Sequence, residues 1–188
     1  MSTLDKEELS SDQATIQMMY EYSELMEELA EARTYFMGHL ADLETEDFFN
    51  IPEEFSYSVA HCIGHLAYIE KELGKKADAD FSFRLDAYDE LFSDLEFPVQ
   101  ISELPKKAEL LVYLEEVHDV FLEEIRYRKK SELIFILINQ YYQHALKLGK
   151  ILEGMGKAHI PQQPDSPRIK LRSEEGDLPL YHLPVYAN

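Results

Sequence analysis

The sequence predicts an all-α protein: a four-helix bundle followed by a non-helical C-terminal extension. Three observations carry that prediction. Apolar residues recur at three-to-four-residue spacing in each of four long segments, the period of a helix with one buried face. Five of the eight prolines follow Lys157, where they exclude a long helix. Strand-like alternation is confined to the short run Ile169 to Arg172.

Composition narrows the function. The chain has 188 residues, 45% of them hydrophobic, enough for one sizeable core and a small appendage. Its formal charge of -19 comes from 37 acidic against 18 basic residues. That excess disfavours nucleic acid and anionic membrane surfaces, both of which call for basic patches. The run LIFILI is too short to span a bilayer, and no basic start leads into an apolar run. A cytoplasmic protein is the expectation. A single cysteine, Cys62, excludes an internal disulfide and a cysteine-rich zinc site, and its neighbours suggest a small buried hydrophobe.

The first long helix is read from about Ser11 to Leu43, with Met18, Tyr22, Leu25, Leu29, Ala32, Phe36 and Leu40 as its stripe. Glu21, Glu24, Glu27, Glu28 and Glu31 lie mostly off that face, and Gly38 lowers propensity without demanding a break. Glu44 to Glu54, with Pro52, reads as a crossing loop whose Phe48 and Phe49 cover an end of the bundle. The second helix starts near Ser56 or Ser58, either of which suits the cap. It buries Val59, Cys62, Ile63, Leu66, Ile69 and Leu73, and Gly74-Lys75-Lys76 reads as its stop.

Between Ala77 and Gln100 the pattern is irregular, with a short helix expected within Ala87 to Phe92. A connection of that length usually has a task, such as covering a cavity. Ser102 is read as the cap of the third long helix, with Pro105 in its first turn. Its stripe is Leu110, Tyr113, Leu114, Val117, Val120, Phe121 and Ile125. The turn into the fourth long helix is very short, which predicts antiparallel neighbours. That helix spans Glu132 to Glu153 and is closed by Gly154 and Gly156. Residues 1–156 are therefore read as one helical unit and 157–188 as an arm or short hairpin, suited to packing on the bundle or on a second subunit. A homodimer is the default assembly.

The fourth long helix carries Gln140 and His144 on the face that also bears Leu133, Leu137, Leu148 and Ile151. Buried polar groups need partners, so an amide and an imidazole in a core stripe ask for hydrogen bonds, water or a metal. A facing histidine, His65 of the second helix, would complete a three-residue cluster with an open coordination position. His61, one turn before His65, offers an alternative cluster with His65 and His144. Glu70 could orient a ligand or act as a base, or else pair with Lys71 or Arg33. Tyr141 and Tyr142 flank the Gln140–His144 face, as substrate contacts or as packing. No phosphate loop, nucleophile elbow or paired-acid signature is present.

The phrase FSYSVAHCIGHLAYIEKEL resembles the corresponding segment of the DinB-like superfamily, which includes bacillithiol and mycothiol S-transferases. DELF at Asp89 to Phe92 and LPKKAELLVYLEEVHDVFLEEI resemble its third-helix region, including the branch associated with ergothioneine synthase. The likeness runs from about Thr15 to Glu153. It implies a four-helix bundle whose metal is held by one histidine of the second helix and a histidine pair at i, i+4 on the fourth. Matched residue by residue, the ligands fall at His65, Gln140 and His144, with glutamine where the first histidine of the pair is expected. The resemblance implies a divalent metal (zinc, nickel, manganese or iron) activating a small thiol for transfer to an electrophile, or a water for hydrolysis. The alternative is a protein that holds no metal because of Gln140, and serves as a small-molecule-binding or dimeric interaction module.

Overall fold

The four stripes become four long helices, joined by two short ones and a 3-10 turn. The computed structural model describes residues 11–77, 88–95 and 98–157, with the side chains of 11–18 and 20 outside that description. The helices are α1 (Ser11–Gly38), α2 (Thr45–Phe49), α3 (Val59–Ala77), α4 (Asp89–Phe92), α5 (Lys107–Arg128) and α6 (Ser131–Gly154), with a 3-10 turn at Ile101–Glu103. Among the described residues there is no strand, and no helix is long and apolar enough to cross a membrane. The arm, and with it the run at Ile169 to Arg172, lies outside the described residues.

Side-chain contacts fix the helix directions. His61 of α3 reaches Val99 just before α5, while Lys130 just after α5 reaches the Lys76 carbonyl near the end of α3. Like ends therefore meet, and α3 and α5 run parallel. Arg33 binds Glu115 and Tyr22 feels the charge of Arg126, so α1 and α5 run antiparallel. Tyr35 packs on Tyr142, and His39 lies against Gly149, so α1 and α6 run parallel. The most extensive backbone packing is of α3 with α5, α1 with α6, and α3 with α6. Although α5 and α6 are joined by a tight turn, each makes its main packing elsewhere, contrary to the expectation of close neighbours. The long connection after α3 is what permits the parallel pair, because it carries the chain back to the end where α3 began.

Several boundaries differ from the sequence reading. The first helix stops at Gly38, where bonds tighten to His39 N–H to the Phe36 carbonyl (3.1 Å) and Leu40 N–H to Met37 (2.9 Å). The expected crossing loop contains α2, which begins where the Glu44 N–H donates to the Asp47 carboxylate at 2.8 Å. Phe48 is fully buried beneath the Lys107 ammonium and Phe49 is half-buried, so this pair does cover the end of the bundle. Gly74 lies inside α3, which continues to Ala77. Ser102 belongs to the 3-10 turn, and α5 begins only after Pro105. Proline forces the residue before it out of helical geometry, and Leu104 is accordingly extended (ψ 145°).

The core contains the expected residues. Leu29, Ala32, Phe36, Cys62, Ile63, Leu66, Leu73, Leu110, Leu114, Val117, Phe121, Leu137, Leu148 and Ile151 are all buried. Each large side chain among them contributes about 1.5–3 kcal/mol. Two left-handed residues close helices: Lys129 (φ 52°) after α5 and Gly156 (φ 71°) after α6.

Candidate functional site

The centre of α3 meets the centre of α6 through two imidazoles. His65 projects from α3 and His144 from α6, with ring centroids 5.6 Å apart and planes tilted by 35°. Each ring is held by its Nδ1. His65 Nδ1–H donates to the Phe92 carbonyl oxygen at 2.7 Å, and His144 Nδ1–H donates to the Gln140 carbonyl of its own helix at 2.8 Å. Those bonds fix the tautomers, so both Nε2 atoms present lone pairs. His144 is 1% exposed, and its Nε2 is buried without a hydrogen-bond partner. Burial holds the pKa of both rings below the ordinary histidine value, that of His144 far below, and the Lys147 charge adds to the effect. Burial thus favours the neutral form of both imidazoles.

The His65 anchor is built by local packing. Phe92 is buried in a notch at Gly64, where a Cβ would come within 2.2 Å of the ring. Tyr88 and Tyr113 flank that ring, at 6.2 Å and 6.4 Å between centroids. The segment is tied down by Lys71, fully buried on α3, whose ammonium meets Asp89 at 2.6 Å. The short helix expected within Ala87 to Phe92 forms as α4, and its final carbonyl orients His65. Tyr68 stacks on His65, with centroids 6.3 Å apart.

A divalent metal takes neutral imidazole nitrogens as ligands, and these two rings lie 5.6 Å apart between centroids. The orphaned Nε2 of His144 and the fixed tautomers fit such an ion. Gln140 is buried one turn before His144, and its amide offers a neutral oxygen. Among the described residues, no group of three or more His, Cys, Asp or Glu side chains stands ready to hold a metal.

The other singled-out residues take other roles. His61 is buried but both ring nitrogens are engaged: Ser58 N–H donates to Nδ1 at 3.1 Å, and Nε2–H donates to the Val99 carbonyl at 2.8 Å. It caps α3 with Ser58 and does not join His65 and His144. Glu70 is fully buried, accepting from His118 Nδ1–H at 2.6 Å and from the Tyr141 hydroxyl at 2.9 Å. It pairs with neither Lys71, which goes to Asp89, nor Arg33, which goes to Glu115. Burial, followed by the Glu70 charge, holds the Tyr141 hydroxyl well above the ordinary tyrosine range, so it stays a donor. Glu70 and Tyr141 form a polar layer of their own, about 7.5 Å of helix rise beyond His65 on α3. Tyr142 is half-buried against Tyr35, with centroids 6.1 Å apart.

His118, which no motif singled out, completes the Glu70–Tyr141 layer. Its signal was its place four residues after Leu114 and seven before Ile125, on the buried side of α5. Two surface recesses, of about 670 Å³ along Asp119 to Tyr127 and about 410 Å³ between Gly38 and Lys157, are lined by neither His65 nor His144.

Fold and site together define an all-α helical bundle carrying a pair of inward-facing, tautomer-fixed histidines on α3 and α6. The family model described as DinB superfamily matches residues 28–152, and the chain belongs to that superfamily. Comparisons with curated proteins and with solved structures gave no match.

Proposed function

We propose that this protein is a divalent-metal-dependent enzyme of the DinB superfamily that transfers a small thiol to an electrophile. The observation that carries the metal reading is His144 Nε2, a buried acceptor without a partner, facing a second imidazole whose Nδ1 is likewise fixed by a carbonyl. His65 and His144 would hold the ion, with the Gln140 amide as a weak third ligand or as the holder of a water. Zinc, nickel, manganese and iron all accept imidazole. When bound, such an ion would lower the pKa of a coordinated thiol and so supply a nucleophile at neutral pH. The chain's own part is positional. The Phe92 and Gln140 carbonyls hold the two rings, the aromatic wall of Phe92, Tyr88 and Tyr113 excludes water, and Tyr68 stacks on His65.

Elemental analysis of untagged protein, purified without added nickel, tests this reading. One ion per chain, lost in His65→Ala and in His144→Ala, is the expected result. Failure to hold any of the four metals after reconstitution refutes it. A second reading, a binding protein without turnover, is favoured by one observation: among the described residues the pair lacks a third histidine, cysteine or carboxylate. It predicts ligand binding with no stoichiometric metal.

A further inference from the structure

The short helix α4 is held on α3 at both of its ends. At its C-terminal end the Phe92 ring fills the notch at Gly64, and the Phe92 carbonyl accepts from His65 Nδ1–H at 2.7 Å. At its N-terminal end the Asp89 carboxylate meets the Lys71 ammonium at 2.6 Å through Oδ1 and that of Lys75 at 3.6 Å through Oδ2. The stretch from Asp89 to Phe92 therefore runs antiparallel to that from His65 to Lys71, as a clip laid along α3. The two anchors are about 9 Å of helix rise apart on α3. They also differ in what they fix. Packing is non-directional, so a ring in an apolar notch sets a position and leaves a one-turn helix able to pivot about it. The Phe92 carbonyl is the last of α4, has no acceptor role within that helix and points along its axis. Its aim at His65 follows the axis, and an axis needs a second fixed point.

An ion pair at that second point calls for a reason beyond stability. The Lys71 side chain is fully buried and that of Asp89 is 26% exposed. Taking an ammonium out of water is costly even when it is paired, and an apolar pair of similar volume often holds two elements together as well or better. An apolar pair lacks direction, whereas a charge-assisted hydrogen bond fixes both distance and angle. We propose that Lys71 and Asp89 are positioning residues of the histidine site: acting through α4, they aim the Phe92 carbonyl at His65 Nδ1 and so keep the imidazole proton off Nε2, the nitrogen left for a ligand. A neutral imidazole carries its proton on one nitrogen or the other, and without the carbonyl at Nδ1 the proton is able to occupy Nε2 and remove the lone pair a metal needs. The value of this lock for metal binding rests on the reading proposed above, while the lock itself needs no metal.

The test is made on the full chain, metal-free and in mildly alkaline buffer, by nitrogen NMR of the imidazoles, which reports the nitrogen that carries the proton. The double variant Lys71→Met with Asp89→Leu removes both charges together, so neither is left buried alone. In the parent His65 is expected in the Nδ1–H form. In the double variant that form should be lost at His65 while the fold persists, and His144, anchored within α6 itself, should keep its proton on Nδ1. Retention of the Nδ1–H form at His65 in the folded double variant overturns the proposal. So does an equal change at both rings, which would mean general loosening of the core. If the double variant does not fold, Lys71→Met alone decides, because it leaves the part-exposed Asp89 within reach of Lys75. If neither variant folds, the pair is structural and the proposal fails. Zinc binding is measured separately, and loss of an outer partner of this kind should weaken it about ten- to a hundredfold. A parent that takes no zinc but shows the expected change at His65 overturns only the metal reading. Unchanged zinc affinity in a double variant that has lost the Nδ1–H form overturns the positioning role.

Discussion

Substitution of Gly64 by alanine tests how the site is built. A Cβ there would lie 2.2, 2.3 and 2.5 Å from three atoms of the Phe92 ring, closer than any real contact. The ring cannot swing away cheaply, because it is 1% exposed and packed between Tyr88 and Tyr113. Overpacking of this severity costs about 3 kcal/mol. Alanine in a helix interior recovers about 1 kcal/mol of that through backbone propensity. The net loss is about 2 kcal/mol, read as a lower midpoint in urea denaturation or a fall of about 4–8 °C in Tm for a chain this size. The Phe92 carbonyl moves with its ring, so His65 loses its 2.7 Å anchor and metal or ligand affinity falls with stability. The decisive arm is the double variant. In a Phe92→Ala background the clash is gone, and Gly64→Ala should turn stabilising by about 1 kcal/mol. If Gly64→Ala remains destabilising there, the notch argument is wrong.

Further outcomes follow from the same geometry. His118→Leu leaves the buried Glu70 with one donor and should cost about 3 kcal/mol, more than the about 1–2 kcal/mol of Tyr141→Phe; equal or negligible costs in denaturant would show that this layer is not a closed network. Burial holds the folded-state pKa of His144 far below the ordinary 6.5, so the ring adds stability that is fully present above about pH 6.5 and is lost as pH falls below it, when only the unfolded chain takes the proton. Metal-free protein should therefore weaken from about pH 7 to pH 5 by at most about 1.4 kcal/mol per unit from this ring, and His144→Gln should flatten that slope; an unchanged slope would count against a buried neutral ring. Cys62 is fully buried with its thiol pushed up to about 12, so a maleimide should label it only as fast as the protein opens, and rapid labelling of native protein would contradict its placement. Lys129 holds a left-handed φ of 52°, and Lys129→Gly should raise stability by about 0.5–1 kcal/mol in denaturant, a loss instead showing that its side chain matters more than its backbone.

The sequence by itself determined which faces are buried. Helical periodicity is a local property, so the stripes of α3, α5 and α6 were legible residue by residue, and so was the presence of polar groups in them. Local chemistry also marked Gly154 and Gly156 as the close of α6, because a left-handed residue after a helix favours glycine. Helix ends were less legible: Gly38 stopped one helix and Gly74 did not stop another, and which glycine terminates depends on what packs beyond it.

Tertiary structure alone decided the partners. His61 and His65 are one turn apart on the same helix, yet one is consumed by capping and a backbone carbonyl while the other faces His144. Glu70 and His118 are 48 residues apart, and only the parallel run of α3 and α5 brings them within 2.6 Å. Short-range pattern carries no information about that pairing. It arises because the long connection returns the chain to the start of α3, and because buried polar groups settle against whichever complementary group the packed helices present.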